Sequence, residues 1–346
     1  MNDYKQIQSK KVLITGHTGF KGSWLSFFLK HLDCQIYGLS DIEFDGIYKL
    51  TNIKSLFQKE FFIDINNTSS EELIDIVKSI QPDIIFHFAA QSLVKTALNN
   101  PYKTIETNSL GTLKILNAAN ECDSVGLITI ATTDKVYKYP DQKNKEDDDL
   151  FGYEFYSASK VAAENYIKAF QNNFKRENLN ILTIRSGNVI GGGDRGKDRI
   201  VTDIIKTIFR DEKLHIRNPG HIRPWTYVLD SLNGYLIASN YCLENSVDEI
   251  FNLNSEINNK FDVAYVLNKF PNLQKFKYST DGSREKGLKE VSTLIIDSTK
   301  ANKILNWNAK YELDEIIEMI FNWELHYSNN NDNSYSLNEI EKYINK

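Results

Sequence analysis

Gly16, Gly19 and Gly22 stand three residues apart between a short apolar run, Lys11–Thr15, and a segment of helical periodicity, Phe20–Leu32. Glycines at a strand-to-helix junction let the backbone come close to a bulky polyanion. The helix that follows offers unpaired N–H groups and a partial positive charge at its first turn. A glycine-rich turn with packing duties alone would use the same residues. Its position at the first strand–helix junction of an alternating chain favours a pyrophosphate site.

The alternation continues. Gln35–Leu39, Phe61–Asp64, Asp83–Phe88, Gly126–Ala131 and Asn180–Arg185 are short β-rich runs. Ser70–Ile80, Tyr102–Ala119 and Tyr156–Phe174 carry helical patterns between or after them. Strands alternating with helices imply βαβ units and a parallel sheet covered on both faces. The expected fold is α/β: a Rossmann-type doubly wound parallel sheet with a smaller mixed C-terminal substrate domain. The pattern loosens after Arg185, and Asn188–Asp194 is glycine-rich. We therefore expect residues 1–187 and about 226–254 in the dinucleotide domain, about 188–225 and 255–328 in the substrate domain, and a tail over 329–346. Ser328–Ser336 reads as a loop before a short helix, Leu337–Ile344.

Composition excludes several functions. The net charge of −5 over 346 residues gives no global field for nucleic acid. No apolar stretch approaches the roughly 20 residues needed to span a bilayer. Met1–Lys11 has no apolar core of a secretory signal. Cys34, Cys122 and Cys242 lie far apart, which fits reduced thiols and a cytoplasmic protein. The six histidines show no metal-ligand spacing, so no metal is expected.

For the dinucleotide, Gly16, Thr18, Gly19, Phe20 and Gly22 would surround the pyrophosphate. The second strand ends at Leu39-Ser40-Asp41. A carboxylate there accepts from both hydroxyls of an adenosine ribose and repels a 2′-phosphate, and no arginine follows immediately, so NAD is expected over NADP. Ser40 is the alternative residue in that register. Asp64 and Ile65 would contact adenine, and Ala89 and Ala90 leave room for the cofactor.

Tyr156-Ser157-Ala158-Ser159-Lys160 places a phenol and an ammonium one helical turn apart. An ammonium beside a phenol favours the phenolate, so the tyrosine pKa is expected to fall from about 10 toward working pH. Such a tyrosine can take a proton from an alcohol while NAD takes the hydride. The fifth strand candidate ends in Thr132-Thr133-Asp134-Lys135, where an open α/β sheet presents its chemistry. Thr133 can donate to a substrate oxygen, with Asp134 and Lys135 beside it.

These segments together resemble the extended short-chain dehydrogenase/reductase family, and within it the CDP-glucose 4,6-dehydratases. The resemblance is carried by Gly16 through Leu25, Thr133-Asp134-Lys135, Tyr156 through Lys160, Arg185 through Asp194, Ile216 through Trp225, and Asp297 through Ala301. It implies that Asn188, Arg199, Arg217 and Arg223 bind the substrate nucleotide, arginine suiting phosphate through its bidentate fork. It implies dehydration of a sugar nucleotide for deoxysugar and surface polysaccharide biosynthesis. It also implies a homodimer through the helices at Tyr102–Ala119 and Tyr156–Phe174, or a homotetramer made from two such pairs. A nucleotide-sugar 4-epimerase would use the same tyrosine, lysine and NAD, but needs no acid for water loss, so Asp134-Lys135 favours the dehydratase.

Overall fold

The computed structural model describes residues 3–216, 218–273, 278–279 and 293–346. Seven strands form one parallel sheet. They are β1 (Lys11–Thr15), β2 (Gln35–Ser40), β3 (Phe57–Phe62), β4 (Ile84–His87), β5 (Leu127–Ala131), β6 (Asn180–Ser186) and, later in the chain, β10 (Glu249–Leu253). Their order is β10-β6-β5-β4-β1-β2-β3. The chain leaves β1 toward β2 and β3, then crosses back to lay β4 on the other flank of β1. That reversal opens a crevice beyond the carboxyl ends of β1 and β4, where doubly wound sheets bind ligands.

The two-residue period of the strands sets the two faces. Val12 and Ile14 of β1 point into one buried cluster with Trp24, Phe28, Leu232, Trp323 and Tyr343. Leu13, between them, points into the other with Leu73, Ile115, Ile128 and Ile167. On the second face lie α3 (Ser70–Ile80), α6 (Gly111–Asn120) and α7 (Phe155–Asn173). Before α3 and α6 the chain makes α1 (Phe20–His31), α2 (Ile47–Leu50), α4 (Val94–Asn99) and α5 (Pro101–Ile105).

Beyond β6, β7 (Val189–Ile190) pairs with β9 (Thr226–Tyr227), and β8 (Leu214–His215) with β11 (Tyr278–Ser279). The later helices are α8 (Ile200–Arg210), α9 (Val228–Asn245), α10 (Val263–Lys269), α11 (Thr299–Leu305), α12 (Leu313–Tyr327) and α13 (Ser334–Asn345). No helix among the described residues is long and apolar enough to cross a membrane.

Three expectations shift. The third strand begins at Phe57 and ends at Phe62, ahead of the expected Phe61–Asp64; it lies at the sheet edge and its pairing with β2 slips between Ile36 and Tyr37. The helix expected over Tyr102–Ala119 contains a π turn at Glu106–Leu110 between α5 and α6. There Asn108 donates to Ser159 Oγ and Ser109 donates to Ser159 O, so the widened turn docks on α7. The last helix starts at Ser334 inside the expected loop, and its Ile340 and Tyr343 are buried against α1 and α9.

Candidate active site

Gly16 closes β1 with φ +75°, and a Cβ there would stand 2.7 Å from the Ala89 nitrogen. Gly22 sits in the first turn of α1, where a Cβ would meet the Gly16 carbonyl oxygen at 2.3 Å. Both positions demand glycine on steric grounds. Gly19 is the N-cap residue of α1, and no side chain caps the helix. Phe20 opens the helix, and its ring tip faces Gly191. The Thr18 amide faces Ser40 Oγ at 3.4 Å, and its hydroxyl donates to Ile42 O at 2.8 Å. A cradle cleared of side chains beneath an uncapped helix N-terminus fits a dinucleotide pyrophosphate.

Ser40 is the last residue of β2 and is buried, whereas Asp41 follows it in an exposed bend. Asp64 folds the turn after β3 by accepting from the Asn66 amide at 3.0 Å. Lys114 gathers the same turn, donating to the carbonyls of Ile65, Asn66 and Thr68. Ile65 is buried, in contact with Gly111. Ala89 and Ala90 line the exit of β4, the Ala89 amide donating to Thr15 Oγ1 at 3.3 Å.

At the end of β5, Thr133 and Asp134 are buried and Lys135 is half-buried. Thr133 Oγ1 donates to Asp134 Oδ1 at 3.0 Å and accepts from the Lys135 amide at 3.4 Å. The other oxygen, Asp134 Oδ2, is buried without a hydrogen-bond partner. Burial raises the Asp134 pKa, against the lowering pull of Lys135, the Thr133 hydrogen bond, Arg223 and Lys21. The opposition between desolvation and the neighbouring ammonium is therefore decided in favour of desolvation.

Tyr156 enters from the first turn of α7. Glu154 caps that turn, accepting from the amides of Tyr156 at 2.6 Å and Ser157 at 2.9 Å. The Tyr156 phenol lies close to Thr133 at the β5 terminus. Its expected acidification is not found. Burial pushes the phenol up to about 12, against lowering by Thr133. Lys160 lies one turn on, but its ammonium donates to Ala131 O at 2.9 Å. Burial brings Lys160 down to about 8, against the raising effect of Glu164.

Arg223 is buried and donates to Ile222 O at 2.8 Å, and its charge reaches Asp134. Arg199 donates to Asp194 Oδ2 at 2.8 Å and Ser92 Oγ at 3.0 Å, and its charge reaches Tyr156. Asn188 sits between β6 and β7, its carbonyl accepting from the Thr226 amide at 3.1 Å. Arg217 lies outside the described residues. The structure thus brings Thr133, Asp134, Tyr156, Arg199 and Arg223 to one place.

Two features escaped the sequence reading. Lys21, inside the glycine motif, donates to Ser186 Oγ at 2.8 Å and lies over the Tyr235 ring. Burial and the charge of Arg199 hold it down to about 7, with Lys160 adding to the effect and Asp134 opposing it. The second is a buried ion pair between Glu164 and Arg185. A lone arginine in the apolar run Asn180–Ser186 was the available signal, because a buried charge requires a partner.

The GDP-mannose 4,6 dehydratase family profile matches residues 13–320. CDP-glucose 4,6-dehydratase of Salmonella typhimurium is 32% identical over 333 residues, covering 91% of this chain and 90% of that protein. UDP-glucose 4-epimerase of Lactobacillus helveticus is 25% identical, covering 90% of this chain and 96% of that protein. Among solved structures, UDP-glucose-4-epimerase of Stenotrophomonas maltophila, with bound NAD and formylated UDP-arabinopyranose, shares the fold at TM-score 0.78 and 16% identity, covering 92% of this chain and 99% of that one. UDP-glucuronic acid 4-epimerase of Bacillus cereus, in complex with UDP-glucuronic acid and NAD, does so at 0.75 and 21%, covering 91% and 99%. With the profile spanning most of its length and a relative above 30% identity along nearly all of it, this chain belongs to the GDP-mannose 4,6 dehydratase family.

Proposed function

We propose that the chain is an NAD-dependent nucleotide-sugar 4,6-dehydratase whose substrate is CDP-glucose. The observation that carries the reading is Asp134: a buried carboxyl with an orphaned oxygen and a raised pKa, hydrogen-bonded to the threonine that lies beside Tyr156. Epimerisation at C4 requires no such acid. The 32% identity to a CDP-glucose 4,6-dehydratase supports the choice of nucleotide.

In this reading Asn188, Arg199, Arg217 and Arg223 hold the nucleotide diphosphate. Gly16, Thr18, Gly19, Phe20, Gly22, Ser40, Asp41, Asp64, Ile65, Ala89 and Ala90 hold the cofactor. Bound NAD supplies the hydride acceptor for C4 and the donor for C6. Thr133 donates to the C4 oxygen, and Tyr156, in its phenolate form, takes the C4 hydroxyl proton as the alcohol becomes a ketone. The ketone acidifies the C5 proton. Lys135 removes that proton if neutral, or, as a cation, stabilises the enolate while another group or water takes the proton. Asp134 gives its proton to the C6 hydroxyl, which leaves as water, and as C6 takes back the hydride C5 regains a proton from the group that removed it. Tyr156 holds the oxygen at C4 throughout, and Tyr156 and Lys160 also contact the cofactor.

The product is a 4-keto-6-deoxy sugar nucleotide, a precursor for the deoxysugars of surface polysaccharides, and we place the enzyme in the cytoplasm. Tyr102, Ile105, Leu110 and Tyr166 expose apolar surface on α5, the π turn and α7, which supports a homodimer through these helices. Incubation with the CDP-, UDP-, GDP- and dTDP-linked hexoses tests the reading. A 4-keto-6-deoxy product from CDP-glucose supports it, and a C4 epimer as the sole product overturns it.

A further inference from the structure

Two side chains of α7, one helical turn apart, hold the end of β5. Lys160 donates to Ala131 O at 2.9 Å, and Glu164 Oε1 accepts from Thr132 Oγ1 at 2.8 Å. The next residues along the strand exit are Thr133 and Asp134. Glu164 is itself fixed from the neighbouring strand β6. Arg185 donates to both of its oxygens, through Nε at 3.0 and 3.1 Å and through Nη2 at 2.6 Å. The remaining donor of that guanidinium, Nη1, bonds Tyr137 OH at 2.9 Å and Glu146 O at 2.8 Å. Tyr137 OH in turn donates to Asn252 Oδ1 of β10 at 2.6 Å.

Glu164 and Arg185 are both almost wholly excluded from solvent. A buried ion pair seldom stabilises a fold more than apolar residues of the same shape would. Its retention beside a reaction centre calls for a task other than stability. The geometry supplies one, because the pair ends on the residue that precedes the Thr133–Asp134 turn.

Resting on the dehydratase reading, we propose that Glu164 is a positioning residue of this site. Anchored by Arg185, it fixes Thr132 and so the height of Thr133 and Asp134 against Tyr156, and it sets a negative charge beside Lys160. The titratable groups that face Lys160 are Glu164 on its own helix, His87 on β4 and Lys21 on α1. Glu164 is the carboxylate among them, and its effect on Lys160 opposes that of burial.

Three measurements test this. Competitive labelling of lysines across pH, read at Lys160 by peptide mass spectrometry, needs no substrate. In Glu164→Gln, which keeps the shape and removes the charge, the Lys160 midpoint should fall by roughly one pH unit. In single-turnover C4 oxidation the rate constant should be lower in Glu164→Gln than in the wild type at every pH, because Thr132 loses its charged acceptor. Thr132→Val removes the hydroxyl link and leaves the charge. It should lower the oxidation rate constant roughly tenfold, as loss of one hydrogen bond would, with KM for the sugar nucleotide and the Lys160 midpoint unmoved. A folded Glu164→Gln with wild-type labelling and rate overturns the proposal. Should that variant fail to fold, a wild-type rate in Thr132→Val overturns it alone. If the wild type oxidises no sugar nucleotide, the dehydratase reading falls, and the Lys160 midpoint still decides the role of Glu164.

Discussion

Thr133 bonds Asp134 through its hydroxyl at 3.0 Å and stands beside the Tyr156 phenol. One side chain thus joins the proposed proton acceptor of the oxidation to the proposed proton donor of the elimination. The two steps share a pivot at the carboxyl end of β5, and they can be separated by changing one side of it at a time.

Tyr156→Phe removes the proton acceptor and keeps the ring. Turnover should drop by at least about 100-fold, the low end for loss of a general base. Calorimetric affinity for the sugar nucleotide should stay close to wild type, since the change leaves the proposed phosphate ligands Asn188, Arg199, Arg217 and Arg223 in place. Turnover near wild type would show that another group takes the C4 proton.

The cofactor preference rests on Ser40, buried at the end of β2, and on the exposed Asp41 after it. Calorimetry on protein stripped of nucleotide should give tighter binding of NAD than of NADP. Asp41→Asn removes the repulsion toward a 2′-phosphate and should narrow the gap. Equal or tighter binding of NADP by the wild type would sink the assignment.

Much of this architecture can be read from the chain. The limits of β1 and α3 fall where apolar runs and periodicity end, and the glycine turn and Tyr156–Lys160 lie where the motifs place them. What cannot be read comes from contacts made at long range. The start of β3 is hidden because an edge strand leaves Gln58 and Lys59 exposed, diluting its apolar signal. The π turn comes from docking on Ser159, some 50 residues later. The upward shift of Tyr156 is a property of burial, and spacing alone carries no measure of burial. Lys160 binds Ala131 through a side chain whose direction the helical spacing leaves open.

The docking of α13 gives a pH dependence of stability. Glu339 is buried on that helix, and burial raises its pKa from 4.5 to about 8, with Lys342 opposing. A carboxyl whose folded pKa is raised binds its proton more tightly in the folded state. The stability it contributes is full below 4.5 and is lost as pH rises through about 8. Glu339→Gln should therefore match the wild type near pH 4 and exceed it in Tm by a margin that grows until about pH 8 and is constant above. Thermal unfolding at a series of pH values reads this directly. A margin independent of pH would place the Glu339 titration elsewhere.

The elimination is where the dehydratase reading stands or falls. Asp134 must carry a proton when the C6 hydroxyl leaves, and its raised pKa makes that proton available. A carboxyl acid loses its proton as pH rises through its folded pKa, so the fraction of oxidised substrate that goes on to product should fall with rising pH. Asp134→Asn and Lys135→Met leave Tyr156 and Lys160 in place. Both should still transfer hydride to NAD, seen as NADH absorbance, while releasing little 4-keto-6-deoxy product. For Asp134→Asn the side-chain shape is kept, so a loss of product comes from the missing proton and not from a collapsed site. The path of the hydride provides a check independent of any variant. With substrate deuterated at C4, the wild type should return the label to C6 of the product, because the same cofactor accepts and then donates it. Retention of deuterium at C4 with inversion there would identify an epimerase, and loss of the label to solvent would rule out return of the hydride within one site.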